Sequence, residues 1–491
     1  MVDAYRVEKL SKLKSLGVNP YPYSFDQRNH SIEITSNFKD FEGKDVSVAG
    51  RIVRLRVVGK LTFIDLLDQD GKIQVLAAEK LTIQNTEKDS LKLLDFIDSG
   101  DIIGVKGKVM KTKRGEVSIE ARSIELLSKS LSGLPEKFHG LTDIELRYRK
   151  RHLDLISNPN VRSFFITRAK ILKYVRDFLD SKGYVEFETP VLQPTYGGAN
   201  AKPFKTYVNA LKSDFFLRIA DELYLKRLII GGFEKVYEVS KDFRNEDIDS
   251  THNPEFTQVE MYAAFQDYED YMKMLEEMIS GMVKSIFRDT KITYQGKELN
   301  FKTPFKRVYW VEVLKKKTGI DVSTLTNNDA QKIAKKEGLK TSIPNAYHVA
   351  DALFDKYIKP ELFEPVFVVD YPAYMCPLTK VKRGNPLLSE RFEFYIAGKE
   401  DGNCYSELTD PLEQRKNFEQ QEKERKAGDE EAPPFDSDFI EAIETGMPPT
   451  AGLGLAIDRL AMILTNNTSI KEVIPFPIQK PFNDQNSQKT Q

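Results

Sequence analysis

Apolar positions change their spacing along the first 130 residues. Residues 4–16 (AYRVEKLSKLKSL) carry them at helical intervals, and Gly17 ends this predicted helix. From Val46 onward, apolar and polar residues alternate in five short runs, as in strands with one buried face. Asp70-Gly71 separates two of these runs and favours a tight hairpin turn. A second helix is predicted near residues 86–97, between the third and fourth runs.

Five strands with one helix after the third are the element order of an OB-fold β-barrel. We therefore assign residues 1–25 to an N-terminal helix and lead-in, and residues 26–135 to the barrel. The stretch SLSGLPEK, residues 130–137, is rich in Ser, Gly and Pro and predicts a linker.

The pattern after the linker is longer and mixed. Residues 161–183 predict a strong amphipathic helix that ends at Gly183, and strand-like and helical segments alternate from there to residue 482. We expect a second domain over residues 136–482, with a small helical insertion at about 312–345. The polar tail 483–491 is predicted to be disordered. The chain is thus expected to be an α+β multidomain protein.

The composition excludes several classes of function. Lys and Arg total 73 against 74 Asp and Glu, a net charge of −1, which argues against a protein that coats nucleic acid non-specifically. Two cysteines and five histidines are too few for a disulfide framework or a structural zinc site. No apolar run approaches the ~20 residues that span a bilayer, and the first residues carry no targeting pattern. We expect a cytoplasmic protein without a membrane partner.

The first segment with evident chemistry is RNEDIDSTHNPEFTQVEMY, residues 244–262. In its strand-like second half, alternation puts Phe256, Gln258, Glu260 and Tyr262 on one face. An Arg for phosphate and an aromatic ring for a base could together hold a nucleotide. The alternative is a hairpin with an exposed network of ion pairs.

The second segment is ERFEFYIAGKEDGNCYSE, residues 390–407. Its acids Glu393 and Glu400 could share a hard cation through carboxylate oxygens, although each alone could equally be a solvated charge. Asn403, Tyr405 and Glu407 alternate, so their side chains should point the same way from a strand.

The third segment is GMPPTAGLGLAIDRLAM, residues 446–462. Gly452 and Gly454 permit close approach of the backbone, and Arg459 lies near the start of the helix that follows. A helix N-terminus and an Arg together suit an anionic phosphate group. Taken alone, this pattern is weak.

Together the three segments are specific. FRNEx₅HNPEFTxxE and GxGxxIDR resemble motifs two and three of the class II aminoacyl-tRNA synthetases, and the segment ending at Pro190 resembles motif one. The order of domains, with an OB-fold barrel before the three motifs, resembles the lysine, aspartate and asparagine subgroup (subgroup b) of these enzymes. GLTDIELRYRKRHLDLI, LRIADELYLKRLIIGG and PPTAGLGLAIDR resemble the lysyl-tRNA synthetases within it, over about residues 4–482. Ala456 departs from the pattern, where the family often has a third glycine, and asks only for slight repacking.

The resemblance implies a catalytic domain built on an antiparallel β-sheet flanked by helices. It also implies an enzyme that activates L-lysine with ATP and Mg²⁺ and transfers the lysyl group to the 3′ end of tRNA(Lys). The helix 161–183 matches the dimer-forming motif, so a homodimer is expected, with Phe164, Phe165, Ile171 and Leu172 as interface candidates.

Site roles follow from motif position. Arg244 should bridge the α-phosphate and the lysine carboxylate, and Arg459 should cover one adenine face; these two are the catalytic candidates. The other ATP-binding candidates are Glu246, His252, Asn253 and Phe256, together with the magnesium ligands Glu393 and Glu400.

A lysine pocket should offer acceptors at its far end, because an ammonium group has three donors and no acceptor. The lysine-binding candidates, with Arg244, are Glu222, Glu260, Tyr262, Asn403, Tyr405 and Glu407, and Gly198, Ala199 and Gly454 as backbone walls. Apart from Arg244, they supply three acids and no base, which disfavours an aspartate or asparagine enzyme. Glu222 and Glu407 are expected to stay ionised beside a wet pocket.

In the barrel, the resemblance implies anticodon binding, with Phe63, Gln74 and Glu116 as the candidates and Phe63 stacking on a base. The alternative is that Phe63 is an ordinary core residue. Two other functions stay open at this point. One is an aspartyl- or asparaginyl-type synthetase, and the other is a non-catalytic RNA-binding or signalling paralogue, which the presence of Arg244, Glu393, Glu400 and Arg459 argues against.

Overall fold

The computed structural model of the chain describes residues 2–78, 93–134, 141–339, 341 and 344–481. The chain divides into two compact units, residues 1–142 and 143–491. The predicted tail 483–491 lies outside the described residues, as does most of the helix predicted near 86–97. The described end of that segment is a single 3₁₀ turn, Leu93–Asp95.

The first unit is a small barrel preceded by short helices. Its helices are α1 (Ala4–Ser15), α2 (Ser31–Ser36) and α3 (Phe38–Phe41), and its strands are β1 (Asp45–Val58), β2 (Leu61–Leu67), β3 (Lys72–Ala78), β4 (Ile102–Lys111) and β5 (Val117–Ser128).

The strands close in the order β1-β2-β3-β5-β4, which confirms the OB-fold prediction. All neighbouring pairs are antiparallel except β3 with β5. Alternation fills the interior with fully buried side chains such as Val48, Ile64 and Val105. Phe63 lies between the buried residues Thr62 and Ile64, so its ring points away from this core and is half-buried.

The second unit is an α+β domain. Its helices are α4 (Ile144–Arg149), α5 (Arg151–Ser157), α6 (Pro159–Ser181), α7 (Glu222–Ile230), α8 (Tyr268–Phe287), α9 (Trp310–Thr318), α10 (Asn327–Glu337), α11 (Ala346–Tyr357), α12 (Pro411–Lys426), α13 (Ser437–Glu444) and α14 (Ile457–Leu464). Its strands are β6 (Val185–Glu186), β7 (Leu192–Gln193), β8 (Lys205–Val208), β9 (Ser213–Leu217), β10 (Lys235–Phe243), β11 (Glu255–Ala264), β12 (Lys291–Tyr294), β13 (Lys297–Asn300), β14 (Lys306–Tyr309), β15 (Val366–Val369), β16 (Val381–Lys382), β17 (Asn385–Ser389), β18 (Arg391–Ile396), β19 (Lys399–Ser406) and β20 (Thr450–Ala456).

Eight strands form the central sheet in the order β14-β15-β18-β19-β20-β11-β10-β6. Its middle is antiparallel, as expected, and only the edge pairs β14 with β15 and β10 with β6 are parallel. The helices α9, α10 and α11 occupy the connection between β14 and β15 and share a core with the sheet, including Trp310, Leu353 and Val368.

The two faces of the sheet differ in character. On β11 and β20, Val259, Met261, Leu453 and Leu455 join a core with α6, α8 and α14. The alternate residues of the same strands therefore face the opposite side, where polar and glycine positions gather. That second face carries the candidate site.

The packing of helix α6 shows that one predicted interface residue, Ile171, is wrong. Ile171 is fully buried in the chain's own core beside Val175 and Leu179, because it lies on the helix face that packs against the sheet. It is therefore not available to a dimer interface, whereas Phe164 and Phe165 are only half-buried. Within the described ranges, none of the helices has the length and apolar character needed to cross a bilayer.

Candidate active site

A cavity of about 410 Å³ lies over the polar face of the sheet. Strands β11, β19 and β20 form its floor, and α7 and the loop between β10 and β11 contribute walls. Fifteen of the ATP- and lysine-binding candidates line it: Gly198, Ala199, Glu222, Arg244, Glu246, His252, Asn253, Phe256, Glu260, Tyr262, Glu400, Asn403, Tyr405, Gly454 and Arg459. Glu393 and Glu407 do not.

The floor is arranged in rows by strand register. Glu260, Gly454 and Asn403 lie opposite one another across β11, β20 and β19. Tyr262, Gly452 and Tyr405 form the next row. A Cβ at Gly452 would approach the Tyr262 ring and Glu407 Oε1 to less than 3 Å. Only a glycine therefore fits at this position of the row.

The hairpin of β10 and β11 holds the first cationic group. The Arg244 guanidinium lies 5.1 Å from the centre of the Phe256 ring. Its Nε is buried and has no hydrogen-bond partner among the described residues. A guanidinium with an unpaired Nε beside a cavity is suited to an anionic ligand, because an Arg presents several donors in a fixed planar fork.

Arg459 is the second cationic group. It donates to the carbonyl of Glu400 at 2.7 Å, and its Nη2 lies 3.1 Å from His252 Nε2. The other ring nitrogen, His252 Nδ1, is 2.8 Å from Asp249 Oδ2. Burial alone would raise the pKa of Asp249, but hydrogen bonds from His252 and Thr251 lower it to about 2. These contacts with Glu400 and His252 fix Arg459 at the cavity wall.

Acidic side chains gather near the N-terminus of α7. Glu222 is almost fully buried, yet it lines the cavity. One of its oxygens accepts from Lys226 Nζ at 2.5 Å and the other from the Tyr405 hydroxyl at 2.7 Å. Lys226 also pairs with Glu407 Oε2. Its ammonium lies 5.5 Å from the centre of the Tyr405 ring.

Lys226 is a buried base behind these acids that the sequence analysis did not find. It lies four residues after Glu222 on α7, so helical spacing brings the two side chains together. It is 1 % exposed and does not reach the cavity. Although burial favours the neutral amine, Glu222 and Glu407 hold the pKa of Lys226 above its usual value. The spacing ELYLK was the signal in the sequence.

Glu407 also differs from its expectation. It is fully buried beneath Gly452, so it does not lie beside a wet pocket. Burial raises its pKa well above the usual range; Lys226 opposes this effect and Glu222 adds to it. Its Oε1 has no hydrogen-bond partner in the part of the chain that the structure describes.

The two candidate magnesium ligands differ in accessibility. Glu400 lines the cavity, and burial, with Glu393 as a second cause, raises its pKa to about 7. Glu393 lies behind it, accepting from the hydroxyls of Tyr371 and Tyr395 at 2.6 and 2.7 Å and from Arg391 Nη2 at 2.5 Å.

Arg391 is a cavity residue that the sequence analysis did not find. It lines the cavity and donates to Asn403 Oδ1 at 3.0 Å as well as to Glu393. Its position two residues before Glu393 on the same strand was the only local signal.

The barrel groups its own candidates on one outer face. Phe63 lies opposite Arg56 and Leu76 in the register, and the Arg56 guanidinium is 5.9 Å from its ring centre. Gln74 donates to Glu116 Oε2 at 2.9 Å and accepts from the hydroxyl of Ser118 at 3.1 Å. Gln74 is buried, whereas Phe63 is half-buried and Glu116 is exposed, so the ring and the carboxylate are the parts of this face that are open to an unpaired base.

Comparison with known proteins fits this architecture. Residues 143–480 match the family model of the class II tRNA synthetases (D, K and N), and residues 46–127 match the OB-fold nucleic acid binding domain. The chain therefore belongs to the class II tRNA synthetases.

Its relatives include proteins named lysine–tRNA ligase. One from Clostridium perfringens is 47 % identical over 485 residues, covering 98 % of this chain and 96 % of its own length. One from Clostridium acetobutylicum is 48 % identical and covers 97 % and 93 %. One from Moorella thermoacetica is 46 % identical and covers 97 % of both chains.

Proposed function

We propose that this chain is a lysine–tRNA ligase, which activates L-lysine with ATP and transfers the lysyl group to tRNA(Lys). The observation that carries the proposal is the polarity of the cavity. Arg244 and Arg459 line it, and the carboxylates of Glu222 and Glu260 line it as well. Cationic groups suit a triphosphate and a carboxylate, whereas buried carboxylates suit an ammonium group.

The chemistry runs in two steps. A carboxylate oxygen of lysine attacks the α-phosphorus of ATP, and the bond to pyrophosphate breaks, which gives lysyl-adenylate. A ribose hydroxyl of the tRNA then attacks the lysyl carbonyl carbon and AMP leaves. Neither step requires a side-chain nucleophile, because positioning and charge stabilisation supply most of the rate enhancement.

We assign the residue roles from motif position and from the residues that line the cavity. Arg244 contacts both the α-phosphate and the lysine carboxylate, and Phe256 and Arg459 stack on the two faces of the adenine. Glu246 accepts from the adenine amino group, while His252 and Asn253 lie along the phosphates. Glu222, Glu260 and Tyr262 receive the substrate's amino groups, with Gly198, Ala199 and Gly454 as walls. Asn403 and Tyr405 complete the floor, and Glu407 acts from below.

Magnesium is proposed as the accompanying cation. The donor set fits a hard ion at Glu400, whose carboxylate reaches the cavity and whose pKa is raised to about 7, first by burial and then by Glu393. Glu393 is the second proposed ligand and would share its oxygens with the donors of Tyr371, Tyr395 and Arg391. When bound, the ion supplies charge neutralisation at the phosphates.

Three further features belong to the proposal. The barrel binds the anticodon through Phe63, Gln74 and Glu116. The enzyme works as a homodimer with α6 in the interface, and it is cytoplasmic. Half-buried Phe164 and Phe165 and the exposed Ile166 support an apolar contact along α6.

ATP–pyrophosphate exchange with each of the twenty amino acids tests the activity. Lysine alone should support exchange, and subsequent charging should require tRNA(Lys). Arg244→Lys keeps the charge but loses the planar fork, so exchange should fall on the order of 10²-fold. Arg176→Lys, at an exposed ion pair with Glu186, serves as the matched control. Exchange with aspartate or asparagine instead of lysine would overturn the proposal.

The anticodon assignment has a separate test. Phe63→Ala should reduce tRNA charging by about 1–3 kcal/mol in kcat/KM, because one base stack is lost. ATP–pyrophosphate exchange should stay near the wild-type rate. Tyr23→Ala removes a fully exposed aromatic ring outside the strands and should change neither reaction. An equal loss of exchange and charging would mean that Phe63 serves the fold.

A further inference from the structure

Three carboxylates from separate elements converge beneath the cavity floor. Asp221 immediately precedes α7, Asp242 lies on β10 and Glu260 on β11. One oxygen from each lies within 4.8 Å of the others. Asp221 and Asp242 are fully buried, and only Glu260 lines the cavity. We call these three residues the acid cluster.

The acid cluster has more carboxylate oxygens than hydrogen-bond donors around it. Glu260 accepts from Gln258 Nε2 at 2.7 Å and from the Tyr262 hydroxyl at 2.9 Å. The Ser240 hydroxyl lies 3.4 Å from Asp221 Oδ1 and 3.3 Å from Asp242 Oδ2, and its single proton serves one of them at a time. Asp221 Oδ2 is buried and has no partner among the residues that the structure describes.

The acid cluster also has fewer cationic neighbours than carboxylates. Arg218 Nε is 3.1 Å from Asp242 Oδ1, but Nη1 of the same guanidinium binds Glu238 at 2.6 Å. The remaining charged or titratable groups that face the acid cluster are Glu222, Arg244, Tyr262, Tyr405 and Glu407. Lys226 is already bound to Glu222 and Glu407. Three ionised carboxylates would therefore exceed their cations.

Protons resolve this imbalance better than a metal ion does. Both oxygens of Glu260 already accept hydrogen bonds. The Arg218 guanidinium lies beside Asp242 Oδ1, but its Nε donates to the Lys241 carbonyl, so Asp242 Oδ1 and Asp221 Oδ2 both lack a hydrogen-bond donor among the described residues. Burial raises the pKa of Asp242 to about 6 and that of Glu260 to about 8, and it raises the pKa of Asp221 well above its usual range.

We propose that Asp221 and Asp242 are positioning residues for the amino-acid substrate, which share protons with Glu260 in the empty cavity and lose one to solvent when the substrate's ammonium group arrives. The inference rests on the proposed function, since it takes lysine as the ligand. The ammonium brings the positive charge that the acid cluster lacks, so the ionised form of Glu260 becomes favourable only with lysine bound. Binding then selects a cation and not merely a side chain of suitable length.

Isothermal titration of the full-length protein with lysine at pH 7.5, in Hepes and in Tris, measures the protons exchanged on binding. We expect a release of about one proton per lysine bound. The lysine KM should accordingly fall as pH rises from 6 to 8, by up to about tenfold per pH unit, while the ATP KM changes little.

Asp221→Asn is the variant of choice, because Asp221 makes no ion pair with any residue that the structure describes and its side chain does not cap α7. It should release less than half of the wild-type proton count and flatten the pH dependence of the lysine KM, with kcat nearly unchanged. Asp242→Asn should act in the same direction. Asp154→Asn is the matched control, since Asp154 is an equally buried acid that pairs with Arg151 away from the cavity.

The outcomes separate this inference from the proposed function. Lysine that binds without net proton release, or an unchanged release in Asp221→Asn, would overturn the inference and leave the activity intact. A stoichiometric metal ion in the purified protein that Asp221→Asn removes would overturn it as well. Failure of lysine to bind or to support exchange would overturn the proposed function itself.

Discussion

Among the described residues, two lysine side chains are buried between carboxylates, one in each unit, and they behave differently. In the barrel, Lys129 Nζ donates to the Phe96 carbonyl at 2.7 Å, to Asp98 at 2.5 Å and to Asp101 at 2.8 Å. The remaining oxygens of these acids accept from Lys9 at 2.7 Å and from the Ser130 backbone at 2.8 Å. Every group in this set has a partner.

Beneath the cavity, Lys226 occupies a similar place between Glu222 and Glu407, but the set is incomplete. Glu407 Oε1 has no hydrogen-bond partner in the described ranges, and Glu222 borders the cavity. The pKa directions follow. At Asp98, burial acts to raise the pKa, but Lys129 and Lys9 outweigh it and the pKa is lowered. At Glu407, burial raises the pKa although Lys226 acts to lower it.

The comparison shows that a buried ion pair by itself does not mark a functional site. Completeness of the hydrogen bonds distinguishes the two, because a satisfied network only specifies the fold, while unsatisfied acceptors next to a cavity can receive a ligand. The predictions below test this distinction, beginning with the largest expected effect.

Removing each lysine should separate stability from activity. Lys129→Ala should lower the free energy of unfolding of the barrel by about 3–5 kcal/mol, because two buried acids lose their partner, and leave ATP–pyrophosphate exchange near normal. Lys226→Ala should abolish most lysine-dependent exchange and cost less stability, since water and substrate can reach Glu222 from the cavity. Urea unfolding and exchange assays measure both. The distinction fails if folded Lys129→Ala loses exchange or if Lys226→Ala keeps it.

Neutralising single acids should have the next largest effect. Glu222→Gln should raise the lysine KM about 10²-fold and barely change the ATP KM, because the ammonium loses a charged acceptor. Glu407→Gln should act in the same direction through Lys226, which loses one of its two buried partners. The intact enzyme should exclude norleucine by a factor on the order of 10⁴. Asp101→Asn in the barrel is the control and should leave both KM values unchanged. If both KM values rise together in the Glu variants, these glutamates hold the fold.

The smallest expected effect is an opposite pH response of the two units. The pKa of Asp98 is lowered in the folded barrel, so its contribution to stability is present above its unfolded value and is lost as pH falls below about 4. The pKa of Glu260 is raised to about 8, so its contribution is full below about pH 4.5 and is lost as pH rises through 8.

Urea unfolding from pH 3 to 9, with and without lysine, tests this difference. Lysine should restore the stability of the catalytic unit at the upper end of the range and leave the barrel unaffected. A loss of stability of the catalytic unit only at acidic pH would contradict the assignment of Glu260.

Local patterns in the sequence determined much of the fold. Alternation between Val46 and Ser128 defined the barrel strands, and the helical spacing of residues 161–183 matched α6. Period-two spacing also put Phe256, Glu260 and Tyr262 on one strand face, and all three line the cavity. These features depend on residues close together in the chain, where backbone geometry fixes which side chains share a face.

Only the tertiary structure decided how deep each charge lies and which group it meets. The sequence marked Glu407 as one of three alternating residues, but the pairing of β19 with β20 buried it under Gly452 and against Lys226. Asp221 and Asp242 meet Glu260 from separate elements. Strand register and packing between distant segments set these contacts, and hydrophobic periodicity, which reports only the local face, carries no information about the partner on the other side.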